Sequence, residues 1–175
     1  TVMRSLASRP ADSFPEAMGS NGALEAFYRL VNNPRVNHSE LLASHVLNTV
    51  ARAAQVDGDV LAVHDTSTIR FPHLPVEEIG ELNTKKAGFF AHPTLLLDGT
   101  AERCPLGVVA LKTIHRAPGG TRHKLSGAAC SKLENRESDR WFEAGCETER
   151  LLFGKARLVH VMDREGDSYE LCARL

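Results

Sequence analysis

The segment Leu158-Val159-His160-Val161-Met162-Asp163-Arg164-Glu165-Gly166-Asp167-Ser168-Tyr169 decides how this chain reads. Its apolar run predicts a short strand over 157–162, and the polar residues after it predict a turn and a last helix over 167–175. Such a strand delivers the Asp163 carboxylate at its C-terminal end. A segment of the same design, Val60-Leu61-Ala62-Val63-His64-Asp65-Thr66-Ser67, lies far earlier and delivers Asp65 in the same way.

Outward from these two segments the pattern is regular. Strands are predicted over 60–71, over 89–97 with the turn Asp98-Gly99 closing it, and over 106–115. Pro118-Gly119-Gly120 opens a loop. Trp141, Ala144, Thr148 and Leu151 recur at helical spacing and predict a helix over 135–153. Upstream, Pro10, Pro15 and Gly19 make residues 1–19 an irregular lead-in. Ser20 caps a helix over 21–32 whose face carries Leu24, Phe27, Tyr28 and Val31, and Pro34 stops it. A second helix starts near Ser39, carries Leu42, Val46, Val50 and Ala53 as its stripe, and ends before Asp57-Gly58.

Three strands, a helix, a short apolar strand and another helix describe an α/β sheet behind a small helical hairpin. The implied division is a helical region over 1–56 and a sheet region over 57–175. The crossover into the fourth strand requires a covering helix. This order fits an incomplete ribonuclease H-like mixed sheet, in which the first and fourth strands lie side by side. Asp65 and Asp163 then become neighbours.

The length of 175 residues suits one domain, or one domain with an appendage. No run of eighteen apolar residues and no basic, apolar leader before Thr1 occurs, so the expectation is a soluble cytosolic protein. Thr1 stands where a complete reading frame has Met, which suits a piece of a longer one. Cys104, Cys130, Cys146 and Cys172 contain no CxxC spacing, so reduced thiols are expected rather than disulfides or a zinc site.

The net charge of -1 hides an uneven distribution. From Lys112 to Lys132 the cations Lys112, Arg116, Arg122, Lys124 and Lys132 run without an acid between them, joined by His115 and His123. From Asp57 to Glu102 acids prevail. An acidic segment beside a basic, Gly-rich one suits a protein that processes phosphodiesters, with phosphate contacts in the basic loop.

Two neighbouring aspartates stay ionised together when a cation lies between them. Mg²⁺ or Mn²⁺ accepts such oxygens and keeps positions open for water and phosphate. The plain alternatives are local: Asp65 accepting from Thr66, Ser67 or backbone, and Asp163 pairing with Arg164 or capping a helix. Asp167 reads as a cap of the last helix and Glu165 as a turn residue. His64 points to the face opposite Asp65 and reads as a hydrogen-bonded core histidine. His92 reads as a structural histidine that is also placed to approach DNA, and Trp141 as core.

Several of these stretches, in this order, resemble a known family. They are Val63-His64-Asp65-Thr66-Ser67, Gly88-Phe89-Phe90-Ala91-His92-Pro93-Thr94-Leu95, Asp98-Gly99 with Pro105-Leu106-Gly107-Val108, Glu137-Ser138-Asp139-Arg140-Trp141 and Asp163-Arg164-Glu165-Gly166-Asp167. They resemble DDE transposases of the insertion-sequence-four family, in the branch of the transposon-five transposase. Ala26-Phe27-Tyr28-Arg29-Leu30 and Asn33-Pro34-Arg35-Val36 resemble that branch's N-terminal DNA-binding region.

The resemblance implies cut-and-paste transposition, in which Mg²⁺ or Mn²⁺ at an Asp-Asp-Glu triad serves strand cleavage and transfer. It implies paired protomers on double-stranded transposon ends, in the cytoplasm of a bacterium and on its nucleoid when DNA is bound. Asp65 and Asp163 map onto the first two carboxylates, and Arg29 and Arg35 join the basic loop as DNA contacts. The glutamate belongs to a downstream segment with a Tyr and an Arg, and Glu170 does not replace it. The 175 residues alone are therefore expected to be inactive or nearly so, marginally stable and prone to association. Two other readings stand beside this one: a non-catalytic DNA- or partner-binding remnant that interferes with an intact transposase, and a metal-dependent nuclease using Asp65, Asp163 and Glu165 or Asp167.

Overall fold

The computed structural model describes residues 2–119, 139–164, 166 and 172–173. The chain divides into two compact units, Thr1–Ser44 and His45–Leu175.

In the first unit the lead-in is helical, with α1 at Val2–Ser8 and α2 at Phe14–Met18, followed by α3 at Asn21–Val31. The prolines misdirected the sequence reading, because Pro15 sits in the first turn of α2, where its missing N–H costs nothing. The Glu16 carboxylate accepts from both the Ser13 backbone N–H at 3.0 Å and the Ser13 hydroxyl at 2.6 Å, closing the front of α2. Gly19 ends the helix at φ 69°, donating to the Pro15 carbonyl. Ala17, Met18 and Phe27 are buried, with Val2, Leu6, Ala23 and Leu24 packed against them. Phe14 and Phe27 rings lie 4.7 Å apart. The helices packed on one another here are α1, α2 and α3, rather than the hairpin read from the sequence.

Ser20 caps α3 as expected, its Oγ accepting from the Ala23 N–H at 3.3 Å. Of the predicted face, Phe27 is buried while Tyr28 and Val31 are exposed, because so small a unit covers only a narrow strip of helix. Helix α4 spans His38–Ala53, starting two residues earlier than Ser39 as a cap would allow. Asn37 Oδ1 accepts from the Glu40 N–H at 2.9 Å, so Asn37 holds the cap position.

The second unit is a mixed α/β structure. Its strands are β1 (Asp59–His64), β2 (Ser67–Arg70), β3 (Gly88–Asp98), β4 (Pro105–Ile114) and β5 (Arg157–Val161). Helix α5 (Val76–Ile79) lies between β2 and β3, and α6 (Asp139–Leu152) precedes β5. The strand expected over 60–71 is interrupted at Asp65-Thr66. Both pieces pair antiparallel with β3, His64 opposite Thr94 and Ser67 opposite Ala91. β4 runs antiparallel along the other edge of β3, and β5 pairs parallel with β1. The order across the sheet is therefore β4, β3, β1, β5, with β2 extending the row of β1.

One sheet face carries the core. Val60, Ala62, Leu96 and Val109 are buried with Val50 and Ala53 of α4 and Leu152 of α6. Burying each of the larger aliphatic side chains contributes about 1.5–3 kcal/mol. The C-terminal half of α4 is also pinned by polar bonds. Arg52 Nε donates to the Leu106 carbonyl at 2.6 Å, and the Val108 N–H donates to His45 Nε2 at 3.0 Å. Gly107 lies between them at φ 133°, where the β3–β4 register shifts. Toward the far end of the same face the buried side chains turn polar, with His64, His92 and Thr94.

Candidate functional site

Parallel pairing places the two aspartates. β1 and β5 register from Asp59↔Arg157 to Val63↔Val161, and Asp65 and Asp163 each stand two residues beyond that last pair. Both are exposed at the C-terminal ends of adjacent parallel strands. Asp65 Oδ1 accepts from the Thr66 backbone N–H at 2.8 Å, so the local role expected for this carboxylate is present. The donors are hard oxygens, which fits Mg²⁺ or Mn²⁺ better than a thiophilic ion. Among the described residues, no group of three or more His, Cys, Asp or Glu side chains comes together as a metal site. Glu165, Asp167 and Glu170 lie outside the described residues.

Beneath the aspartates lies a buried polar layer covered by α6. His64, His92, Thr94, Thr148 and Trp141 are all buried. His64 thus occupies the face opposite exposed Asp65, as period-two alternation requires. Glu149 Oε1 lies 3.1 Å from His160 Nε2, and His160 Nδ1 lies 2.9 Å from His64 Nε2. Thr94 Oγ1 lies 2.9 Å from His64 Nδ1. A carboxylate only accepts. With His160 neutral, protons then point one way: Thr94 hydroxyl to His64, His64 to His160, His160 to Glu149. Burial first, then the neighbouring imidazoles of His160 and His92, hold the His64 pKa down to about 3.

His92 stands at the centre of the site. Its ring meets Trp141 edge-on at 4.6 Å and stacks 6.3 Å from His64. Burial lowers its pKa to about 4, helped by the cations Arg140 and Lys112 and opposed by the anions Asp65 and Asp163. Both aspartates therefore lie within electrostatic reach of one buried imidazole. His92 Nδ1 lies 2.9 Å from Thr66 Oγ1, and Arg140 Nε donates to the same oxygen at 3.0 Å. From the sequence His92 reads as a structural histidine also placed to approach DNA and Trp141 as core, and neither Arg140 nor His160 stands out as a site residue. The helical spacing from Trp141 to Thr148 was the available signal, since Arg140 and Glu149 flank that stripe.

The expected DNA contacts are distributed over both units. Arg29 is exposed and pairs with Glu25 at 3.1 Å, and Arg35 is exposed near the end of the first unit. Lys112 forms an ion pair with Glu143. The Arg116 guanidinium lies 4.3 Å over the Phe90 ring and donates to Asn83. Arg122, Lys124 and Lys132 lie outside the described residues. Cys104, Cys146 and Cys172 are exposed free thiols, and Cys130 lies outside the described residues. Among the described residues, no helix is long and apolar enough to cross a membrane.

Residues 1–36 match a family model described as transposase DNA-binding. This stretch covers α1, α2, α3 and the two candidate contacts Arg29 and Arg35. The front of the chain is thus similar to a transposase DNA-binding segment, and that likeness supports a transposase-related role in binding DNA.

Proposed function

We propose that this chain belongs to a cut-and-paste DNA transposase of the DDE superfamily, insertion-sequence-four family, transposon-five branch. In this reading residues 1–56 recognise double-stranded transposon ends, and residues 57–175 are part of a ribonuclease H-like catalytic region. The observation that carries it is the parallel pairing of β1 with β5, whose register carries Asp65 and Asp163 to the same end of the sheet. The strand order β4, β3, β1, β5 supports the same fold. The match of residues 1–36 supports the partner.

Asp65 and Asp163 would hold Mg²⁺ or Mn²⁺. When bound, the cation supplies a Lewis acid for phosphodiester oxygens and lowers the pKa of bound water. The chain's own residues supply the rest. Rigid parallel strands would fix the two carboxylates, the buried histidine layer would exclude water behind them, and Arg140 would hold the adjoining Thr66. Arg116, Arg122, Lys124 and Lys132 would meet phosphates, and homodimerisation would pair two ends. A second reading is a non-catalytic DNA- or partner-binding remnant that interferes with an intact transposase, favoured by the likeness of residues 1–36 to a transposase DNA-binding segment.

Mn²⁺ binding tests the proposal directly. Electron paramagnetic resonance titration of the wild-type chain should show a bound ion, and Asp65→Asn or Asp163→Asn should weaken it by at least about tenfold. Equal Mn²⁺ affinity in all three proteins overturns the metal reading.

A further inference from the structure

Thr66 follows Asp65 at the break between β1 and β2, where the strand ladder with β3 has lapsed. The Asp65 backbone N–H reaches the Pro93 carbonyl only at 3.5 Å, so the ladder holds this segment weakly. Bonds to Thr66 hold it instead. The Thr66 N–H donates to Asp65 Oδ1 at 2.8 Å. Its Oγ1 accepts from Arg140 Nε at 3.0 Å and lies 2.9 Å from His92 Nδ1. Helix α6, strand β3 and the β1–β2 break therefore meet at one hydroxyl.

Donor chemistry fixes one of these two bonds. A guanidinium only donates, so Thr66 Oγ1 accepts from Arg140 and its own proton is available to His92 Nδ1. Thr66 Oγ1 also keeps a second lone pair for an Nδ1–H, and in either tautomer the ring's Nε2 is left for another partner. That atom is buried and has no hydrogen-bond partner among the described residues. A buried orphan of this kind is rare and requires an explanation. Here the ring is committed to Thr66 by its other nitrogen and wedged against Trp141, an arrangement that orients Thr66 at the expense of the ring's second bond.

We propose that Thr66, gripped between Arg140 and His92, is a positioning residue that orients the Asp65 carboxylate toward a divalent cation, so that helix α6 tunes the affinity of the site. The proposal rests on the reading of Asp65 and Asp163 as cation ligands. Carboxylate ligands bind best when groups behind them fix their orientation, and loss of such a group lowers metal affinity by roughly 10–100-fold. Thr66 acts through Asp65 and is not itself a ligand.

The test is Mn²⁺ titration of the whole chain by electron paramagnetic resonance, with the thermal midpoint of each protein measured in parallel. Thr66→Val removes the hydroxyl at nearly constant volume and should weaken Mn²⁺ by roughly tenfold. Thr66→Ser should retain wild-type affinity. Arg140→Gln, at the half-buried start of α6, should weaken Mn²⁺ several-fold while the thermal midpoint stays near wild type, and it carries the test if Thr66→Val fails to fold. Side-chain ¹⁵N spectra should show a single His92 tautomer in the wild type and a mixture of tautomers in Thr66→Val. Wild-type Mn²⁺ affinity in folded Thr66→Val or in Arg140→Gln, or failure of Thr66→Ser to retain it, overturns the positioning role while leaving the metal site standing. No Mn²⁺ binding by the wild type, or binding untouched by Asp65→Asn, overturns the metal site and the positioning role together.

Discussion

His64 Nε2 lies 2.9 Å from His160 Nδ1, tying parallel neighbours β1 and β5 together through their imidazoles. Their rings stack at 5.1 Å. This contact lies on the covered face of the sheet, directly behind the strand ends that carry Asp65 and Asp163. It makes the candidate site and the fold's acid sensitivity two consequences of one layer.

Acid should loosen this protein through that layer. The folded-state pKa values of His64 and His92 are depressed to about 3 and about 4, against an ordinary value near 6.5. Between the depressed and ordinary values the unfolded chain binds more protons, so stability falls as pH drops below about 6.5 and is fully retained above it. The slope reaches about 1.4 kcal/mol per pH unit for each histidine. Urea midpoints between about pH 7 and about pH 5 should fall steadily, and less steeply in His64→Gln. A midpoint independent of pH across that window would remove the layer from the account.

Gly107 should resist replacement. It holds φ 133°, and a Cβ there would sit 2.3 Å from Thr49 Oγ1 and 2.9 Å from an Arg52 guanidinium nitrogen. Ala at this position must strain its backbone and displace the bonds that pin α4 to β4. Gly107→Ala should cost roughly 1–3 kcal/mol, read as a lower thermal midpoint. An unchanged midpoint would show that the clamp has slack.

β5 should drive self-association. Val159 and Val161 are 42% and 40% exposed on one face of this strand, and among the described residues no strand pairs with its outer edge. Exposed apolar edge strands invite pairing with another chain. Val159→Lys should shift sedimentation toward monomer at fixed concentration, with stability changed by no more than about 0.5 kcal/mol. Identical sedimentation of both proteins would place the sticky surface elsewhere.

Arg35 offers a check on the first unit. It is exposed and falls within the stretch similar to transposase DNA-binding segments. Arg35→Ala should weaken binding to duplex DNA and reduce the slope of log affinity against log salt by about one. Loss of affinity with an unchanged slope would mean that Arg35 does not contact phosphate.

Local pattern in the sequence determined a good deal. The strands near 60, 89, 106 and 157, the helix through Trp141, the Ser20 cap and the burial of His64 all follow from periodicity and side-chain chemistry within a few residues. Pro10 and Pro15 hid α1 and α2, because whether a proline breaks or starts a helix depends on its position in the turn and on what Phe14 and Phe27 bury together. The interruption at Asp65-Thr66 was equally hidden, since a single Asp among strand formers does not reveal that pairing lapses there.

Only the tertiary structure decided which strands pair and which side chains meet. Arg140 reaches Thr66 across 74 residues, and His64 reaches His160 across 96. Such contacts are set by strand order and register, which depend on packing α4 and α6 over one sheet face. Periodicity carries which face is buried; it does not carry which partner lies opposite.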